Sequence, residues 1–233
     1  MLFITGTDTE VGKTTIARAI IRAGLKKGIK IGVMKPVETG CIEEGGVLIP
    51  QDAKSLKESA GIDHPLDLIN PYRFAMPVSP HIAARSSSTA IVPDVIIDCF
   101  NRIKKDVDFC VVEGAGGVLV PLSPKFLTID LIKLMNIEVV VVARDKLGTI
   151  NHTLLTLEAL RRRGIKIKGV ILNRTTKDLG PDSLTNKESI EEYGKVKVLG
   201  TFPYIPSEGP IGNRILSEIA EQYLDIDKIF EIR

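Results

Sequence analysis

A short apolar segment, a glycine-rich loop and a helical pattern follow one another at the start of the chain. Residues 2–5 read LFIT, residues 6–15 read GTDTEVGKTT, and apolar residues then recur on one helical face from about Lys13 to Lys27. Gly28 follows as a suitable C-terminal cap. This order limits the fold more than any other feature, because it predicts a strand–loop–helix unit at the beginning of an α/β domain.

The loop is close to the Gly-x-x-x-x-Gly-Lys-Ser/Thr pattern of phosphate-binding loops, but five residues rather than four separate Gly6 from Gly12. In such a loop, successive backbone N–H groups and the positive end of the helix face an anion. Lys13 is placed to reach the terminal phosphates, and the hydroxyl of Thr14 is placed to bind Mg²⁺. The sequence therefore predicts a nucleotide-phosphate site in spite of the extra residue.

Five further apolar, β-branched segments alternate with helical patterns along the chain. They read IKIGVMK, DFCVVE, IEVVVVAR, IKGVILN and VKVLGTF. Runs that are apolar throughout are typical of strands buried on both faces, and therefore of a mostly parallel central sheet with helices on both faces. With 233 residues and 44% hydrophobic content, we expect a single domain over residues 1–233.

Composition favours small-molecule chemistry. The formal charge of +2 is too small to indicate a nucleic-acid or membrane partner. The densest apolar run, IEVVVVA, is far shorter than the roughly 18 residues of a membrane span, and no targeting segment is visible. Cys41, Cys99 and Cys110 match no zinc pattern and cannot all pair, so we expect reduced thiols in a cytoplasmic protein.

Three charged residues outside the loop are candidates for the same site. Glu113 ends a buried strand and precedes a glycine-rich stretch that lets backbone approach a ligand. Lys35 ends the second strand and points towards the phosphate loop, although a solvated strand-end lysine is the alternative. From spacing alone, Asp52 is equally an N-cap or a surface acid.

The remaining chain offers weaker signals. Residues 36–93 are less regular, and long irregular segments in compact domains are usually functional. The cations Arg161–Arg163 suit the last turn of a helix, and the three histidines are too scattered to indicate a catalytic base or a metal ligand. We expect one terminal helix in LSEIAEQYLDIDKIFEIR.

Taken in order, the segments GTDTEVGKT, KPVETG, NPYRFAMPVSPH, VEGAGG and KLGTINHTLLTLEAL resemble the dethiobiotin synthetase family. The resemblance spans residue 3 to about residue 206, and the extra loop residue is part of that family's pattern. It implies an ATP-dependent cyclo-ligase that converts 7,8-diaminopelargonic acid, carbon dioxide and ATP into dethiobiotin, ADP and phosphate. A carbamate and a carbamic-phosphoric anhydride would be the intermediates.

The resemblance also implies roles for individual residues. Lys13 and Lys35 would be catalytic cations, and Thr14, Asp52 and Glu113 would hold Mg²⁺. Thr39 would contact the diamine, with Thr where Ser is familiar. The nucleotide-binding residues would be Glu10, Val11, Gly12, Lys13, Thr14, Thr15, Asp52, Glu113, Gly114, Ala115, Gly116, Asn173, Arg174, Pro203, Tyr204 and Ile205.

The segment KLGTINH carries an implication about assembly. In the family it holds the substrate's carboxylate from the neighbouring subunit, so a homodimer is implied. Thr149 would cap the following helix, and a helix N-terminus suits a carboxylate. The substrate-binding residues from this segment would be Gly148, Thr149, Ile150 and Asn151.

Two other readings share the fold. A partition or cell-division switch ATPase usually carries an additional lysine early in the loop, which GTDTEV lacks, and no basic amphipathic tail is evident here. Another ATP-dependent carboxylate or amide ligase would need a glutaminase domain or a larger acceptor site, for which the chain is short. The NRTT after GVILN lacks the Asn-Lys-x-Asp pattern of guanine-specific GTPases, which favours ATP.

Overall fold

The computed structural model describes residues 1–178, 180–206 and 211–231. Its strands are β1 (Leu2–Gly6), β2 (Ile31–Met34), β3 (Val37–Thr39), β4 (Ile42–Glu44), β5 (Val47–Ile49), β6 (Tyr72–Phe74), β7 (Phe109–Gly117), β8 (Pro121–Ser123), β9 (Phe126–Leu127), β10 (Glu138–Arg144), β11 (Ile167–Asn173) and β12 (Val198–Phe202). Its helices are α1 (Lys13–Lys26), α2 (Gln51–Ala60), α3 (Leu66–Ile69), α4 (Pro80–Ser86), α5 (Pro93–Lys105), α6 (Thr128–Met135), α7 (Thr149–Arg162), α8 (Asn186–Gly194), α9 (Asn213–Tyr223) and α10 (Ile226–Phe230), with a 3₁₀ turn at Pro181–Leu184.

A six-stranded sheet in the order β12-β11-β10-β1-β7-β2 forms the centre of the molecule, and all of its pairings are parallel. These are the six strands that the apolar runs predict, so the predicted fold class is confirmed. The first strand lies inside the sheet, between β10 and β7. The loop after β1 therefore opens at the carboxyl edge of the sheet, where ligands of open α/β sheets bind.

Helices cover both faces because successive side chains of each strand point to opposite sides. In β1, Phe3 joins one buried cluster with residues of α5, α6 and α7, whereas Leu2 and Ile4 join another with residues of α1, α2 and α9. Ile16 and Ile20 of α1 are completely buried in the second cluster, and each contributes about 1.5–3 kcal/mol through burial. The phosphate loop is thus held between two packed layers.

One stretch differs from the sequence-based expectation. The expected terminal helix is two helices, α9 and α10, because Leu224 is extended and bridges Gly200, and Asp225 then caps α10 by accepting from the N–H of Lys228 at 3.1 Å. The less regular segment 36–93 consists of short elements, among them a parallel β3–β6 pair and an antiparallel β4–β5 hairpin.

Two local predictions are confirmed. The helix after the loop ends at Lys26 and is followed by Gly28 with φ +80°. Arg161 and Arg162 lie in the last turn of α7.

Within residues 1–178, 180–206 and 211–231, no helix is long and apolar enough to cross a membrane.

Candidate active site

The loop between β1 and α1 is shaped by glycines at which a side chain would collide with neighbouring atoms. Gly12 adopts φ +89°, and a Cβ atom there would collide with Nδ2 of Asn173. A Cβ at Gly6 would lie 2.7 Å from the carbonyl oxygen of Asp8. No side chain caps α1, and its first turn contains no acidic residue. The free N–H groups and the positive helix end therefore remain available to an anion.

Lys13 begins α1 and folds back over the loop. Its Nζ donates to the carbonyl oxygen of Asp8 at 3.0 Å, and only 8% of the residue is exposed. Burial, reinforced by the charge of Lys35, lowers the pKa of Lys13 to about 8. A phosphate arriving in the loop would supply the counter-charge that this ammonium needs, so Lys13 is prepared for a polyanion.

Lys35 lies at the centre of a charge cluster beside the loop, in which Lys35 and Glu113 are buried and Asp52 is partly exposed. Its Nζ donates to Oε1 of Glu113 at 2.5 Å and to Oδ2 of Asp52 at 2.8 Å. The hydroxyl of Thr14 donates to the same Oε1 of Glu113 at 2.9 Å. The structure thus brings together Thr14, Lys35, Asp52 and Glu113, which are separated by up to 99 positions in sequence.

The protonation of this cluster follows from its burial and its charges. Burial acts to lower the pKa of Lys35, but Glu113 and Asp52 outweigh it and raise that pKa, so Lys35 is an ammonium ion. Burial acts to raise the pKa of Asp52, yet the charge of Lys35 holds it below its ordinary value. Complete burial raises the pKa of Glu113, and Lys35 opposes that rise.

The oxygen atoms of the cluster fit a hard divalent cation. The Thr14 hydroxyl and the carboxylates of Asp52 and Glu113 are the ligand types that Mg²⁺ prefers. Oε2 of Glu113 is buried and has no hydrogen-bond partner, so one donor atom is available inside the site. The described part of the chain contains no group of three or more His, Cys, Asp or Glu residues for a metal. Two carboxylates and a hydroxyl would suit Mg²⁺ completed by phosphate oxygens.

One interpretation of the sequence makes Asp52 an N-cap residue, but Asp52 does not cap a helix. It is the second residue of α2, whose N-cap position is Pro50, and its side chain contacts Lys35. A residue that the sequence did not single out, Glu38 on β3, accepts the backbone N–H groups of Asp52 and Ala53 at 2.9 and 3.0 Å. Burial raises the pKa of Glu38. The sequence signal that could have identified Glu38 is an acidic residue within the buried strand of the segment KPVETG.

The candidate base-contacting residues lie on the other side of the loop, at the ends of β11 and β12. Asn173 pairs with Phe202 in register, and residues 203–205 follow, of which Tyr204 is exposed. Asn173 is buried, and its Nδ2 donates to the carbonyl oxygen of Val11 at 2.8 Å. The amide of Asn173 is therefore already engaged with the phosphate loop, and its adenine contact stays a prediction.

Arg174 is held by a buried acid that the sequence did not indicate. Its Nε donates to Oδ2 of Asp145 at 3.1 Å, and Nδ2 of Asn186 donates to Oδ1 of the same carboxylate at 2.9 Å. This network fixes the end of β11 against α8. The guanidinium of Arg174 is thus held through Nε, and its nucleotide contact stays a prediction.

The candidate substrate residues fall at two places. Thr39 ends β3, next to Glu38, which accepts from the N–H of Asp52. Gly148, with φ +93°, is the N-cap of α7, so the expectation that Thr149 caps this helix is wrong. Thr149 is instead the first helical residue, because the left-handed backbone at the cap position requires a glycine. The Oγ1 atom of Thr149 is buried and has no hydrogen-bond partner. Ile150 and Asn151 follow in the first turn.

Two cavities lie between the phosphate loop and α7. One of about 190 Å³ is lined by Arg144, Lys146, Thr149 and His152 together with loop residues. The other, of about 400 Å³, is lined mainly by the stretch 117–121 and by α7. Large apolar side chains border them and are exposed to solvent: Leu119 (56%), Leu147 (82%) and Leu155 (61%).

Comparisons with known proteins place the chain among nucleotide-dependent enzymes. An AAA domain family matches residues 1–210. The ATP-dependent dethiobiotin synthetase BioD of Thermodesulfovibrio yellowstonii is 39% identical over 240 residues, covering 99% of this chain and 98% of that protein. The protein of the same name from Methanocaldococcus jannaschii is 44% identical over 207 residues, covering 86% of this chain and 92% of that protein.

Solved structures with similar folds are more distant in sequence. The cell division ATPase MinD of Pyrococcus furiosus superposes with a TM-score of 0.54 at 16% identity, covering 100% of this chain and 99% of that one. A ParA family ATPase of Chlorobium tepidum gives a TM-score of 0.52 at 14% identity, covering 100% and 93%. At these identities the likeness supports the fold and nothing further.

Proposed function

The chain belongs to the ATP-dependent dethiobiotin synthetase family and is an ATP-dependent ligase, and from this membership we propose its reaction in detail. It joins 7,8-diaminopelargonic acid and carbon dioxide and closes the ring of dethiobiotin, with release of ADP and phosphate. One amine of the substrate captures carbon dioxide as a carbamate. A carbamate oxygen attacks the γ-phosphate, and the second amine closes the resulting carbamic-phosphoric anhydride to the cyclic urea.

The charge cluster of Lys35 beside Lys13 is the observation that carries this proposal. Carbamate and triphosphate are both anions, and negative charge accumulates on the equatorial oxygens during phosphoryl transfer. Preorganised cations in a water-poor site counter that charge without reorganisation at the moment of reaction. Lys13 in the loop and Lys35 at the sheet edge supply two such cations, and the uncapped first turn of α1 adds its N–H groups.

We propose that Thr14, Asp52 and Glu113 hold Mg²⁺ together with the nucleotide. When bound there, Mg²⁺ supplies charge neutralisation at the phosphates. Lys35 holds both carboxylates in place, because it donates to each of them. The unpartnered Oε2 of Glu113 supports this assignment, since a buried oxygen without a partner is costly in the absence of a ligand.

The nucleotide is ATP, and we propose that its phosphates occupy the loop from Glu10 to Thr15 while Gly114, Ala115 and Gly116 line the same crevice. Its base would face the ends of β11 and β12. The parallel register that sets Asn173 beside Phe202 supports this placement, because it brings residues 203–205 next to Asn173 and Arg174. All of these positions lie at the edge where β1 opens into the loop.

We propose that the substrate's carboxylate is bound at the first turn of α7, at Gly148 to Asn151, from a second copy of the chain. The first turn of α7 has no acidic residue and no side-chain cap. The N–H of Thr149 donates to the carbonyl oxygen of Lys146 at 3.0 Å, so the N–H groups of Ile150 and Asn151 are the ones available to an anion. Thr39 would contact the diamine end.

Three buried free cysteines further agree with a reducing, cytoplasmic location, which we also propose.

The exposed leucines around the two cavities support a homodimer. Leu119, Leu147 and Leu155 border the cavities next to the phosphate loop, and an apolar patch of this kind marks an interface. Replacing Leu155 with arginine is expected to convert the dimer into monomers and to lower turnover, because a charge would have to be buried at the contact. Sedimentation velocity of the variant, with turnover measured at the same concentrations, tests this.

Leu184→Arg is the matched control, because Leu184 is 79% exposed in the 3₁₀ turn, away from the cavities. It should sediment and turn over as the unchanged protein does. A fully active monomer of the unchanged protein would refute the shared substrate site.

One assay tests the reaction itself. Protein incubated with ATP, Mg²⁺, bicarbonate and 7,8-diaminopelargonic acid should form dethiobiotin and ADP in equal amounts, and ADP should not accumulate without the diamine. ATP hydrolysis that is indifferent to the diamine would instead favour a partition-type switch ATPase. That alternative has only the distant structural likeness in its favour.

A further inference from the structure

Glu38 is a buried carboxylate that the proposed chemistry does not use. It lies on β3, between Lys35 and Thr39, and is 6% exposed. Each of its oxygens accepts a backbone N–H group, Oε1 from Asp52 and Oε2 from Ala53. Burying a carboxylate is costly, so both hydrogen bonds are needed to keep it in place.

These two N–H groups belong to the first turn of α2. The first N–H groups of a helix have no partner within it, and the N-cap residue of α2, Pro50, has no side chain that could accept from them. Glu38 therefore caps α2 from a strand 14 positions earlier in the chain. Its negative charge also complements the positive end of the helix.

The cap fixes the direction of one functional side chain. Asp52 donates its backbone N–H to Glu38, while its carboxylate accepts from Nζ of Lys35 at 2.8 Å. Between Glu38 and α2 the chain runs through the exposed β4–β5 hairpin, in which Gly45 and Gly46 have positive φ. Helix α2 packs on α1, β2 and α3 rather than on the hairpin, and the carboxylate of Glu38 links its first turn directly to β3.

We propose that Glu38 is a positioning residue for metal binding: it holds the first turn of α2 so that Asp52 faces the divalent cation that accompanies the nucleotide. This proposal rests on the metal role proposed above for Asp52. Residues that orient a metal ligand through hydrogen bonds typically change metal affinity by about 10–100-fold when mutated. Glu38→Gln has the same size but offers an amide N–H where the second backbone N–H needs an acceptor.

The test begins with the protein free of nucleotide and metal. Hydrogen exchange followed by NMR should show the N–H groups of Asp52 and Ala53 exchanging about tenfold faster in Glu38→Gln, as the loss of a hydrogen bond to a charged group predicts. Glu44→Gln is the matched control, because Glu44 is exposed on β4 and undergoes the same change of charge. Unchanged exchange at both N–H groups in Glu38→Gln would overturn the capping role.

Metal binding is then measured without turnover. Mn²⁺ is titrated by EPR into each variant in the presence of ADP, and Glu38→Gln should bind it about 10–100-fold more weakly than Glu44→Gln does. The effect should disappear when Glu38→Gln is added to Asp52→Asn, because Glu38 acts through Asp52. If Glu38→Gln does not fold, Glu38→Asp, which keeps the charge on a shorter side chain, replaces it and should give a smaller loss.

The outcomes separate two failures. If Asp52→Asn weakens Mn²⁺ binding but Glu38→Gln does not, the positioning role of Glu38 is wrong and the metal role of Asp52 stands. If Asp52→Asn leaves Mn²⁺ binding unchanged, the metal assignment itself is wrong. Equal losses from Glu38→Gln with and without Asp52→Asn would show that Glu38 acts independently of Asp52, which also overturns the proposal.

Discussion

Replacing Lys35 with alanine is expected to lower kcat by at least about 10²–10³ at saturating substrates, the usual cost of removing one preorganised charge-stabilising donor. Lys35 donates to both Glu113 and Asp52, so its loss also leaves two carboxylates next to each other without their shared cation. Their repulsion would oppose the approach of a third anion, the carbamate. The loss should therefore appear in kcat more than in the KM for ATP.

Turnover is measured as dethiobiotin formed per enzyme, alongside a denaturant unfolding curve. Breaking a buried ion pair costs about 3–5 kcal/mol in stability, so the curve identifies the conditions under which the variant is fully folded. Lys104→Ala, on the exposed side of α5, is the matched control and should behave as the unchanged protein does. Near wild-type turnover of folded Lys35→Ala would show that its assigned role is wrong.

Glu113→Gln is expected to lower kcat by about 10² or more, a loss comparable with removal of a charge-stabilising group. Oε1 of Glu113 accepts from both Lys35 and Thr14, and Oε2 is the buried oxygen without a partner. A neutral amide keeps the shape of the side chain but supplies one acceptor instead of two and no charge. The Mg²⁺ concentration needed for half-maximal turnover should rise with it.

Initial rates over a series of Mg²⁺ concentrations test this expectation. Glu192→Gln, an exposed position in α8, provides the same chemical change away from the site. Glu113→Gln should remain folded, because Lys35 keeps Asp52 as a partner. An unchanged Mg²⁺ requirement together with unchanged kcat would remove Glu113 from the metal site.

The parts of the fold that could be predicted from sequence are those with a local signal. All six central strands are apolar, β-branched runs, which is the sequence pattern typical of parallel strands buried on both faces. The loop and α1 carry glycines and a lysine at fixed spacing. The exposed β4–β5 hairpin has only the three-residue apolar run Val47–Ile49, which is too short to indicate a strand by itself. The break between α9 and α10 depends on the pairing of Leu224 with Gly200, which is not visible in either segment alone.

The residues of the site also divide into those with a local sequence signal and those that depend on tertiary contacts. Lys35 follows from the end of its strand, because parallel strands deliver their carboxyl ends to one edge. The prediction that Glu113 ends its strand was wrong, because β7 continues through the glycine-rich stretch to Gly117. Asp52 reaches that edge only through Glu38 and Lys35, and Asn173 contacts Val11 across 162 positions of sequence. Such contacts are tertiary, so spacing could not reveal them. The helix cap at Gly148 was missed because a hydroxyl residue stood next to the glycine that the backbone required.

The position of β1 inside the sheet has an evolutionary consequence. Strands β7 and β2 on one side of it bring Glu113 and Lys35, which we assign to the reaction, whereas β11 and β12, beyond β10 on the other side, bring the residues assigned to the base. Mutations that change which nucleotide is preferred can therefore accumulate at the β11–β12 end of the sheet, away from Glu113 and Lys35. Proteins that descend from such a fold can change the nucleotide that they bind and still catalyse the same reaction.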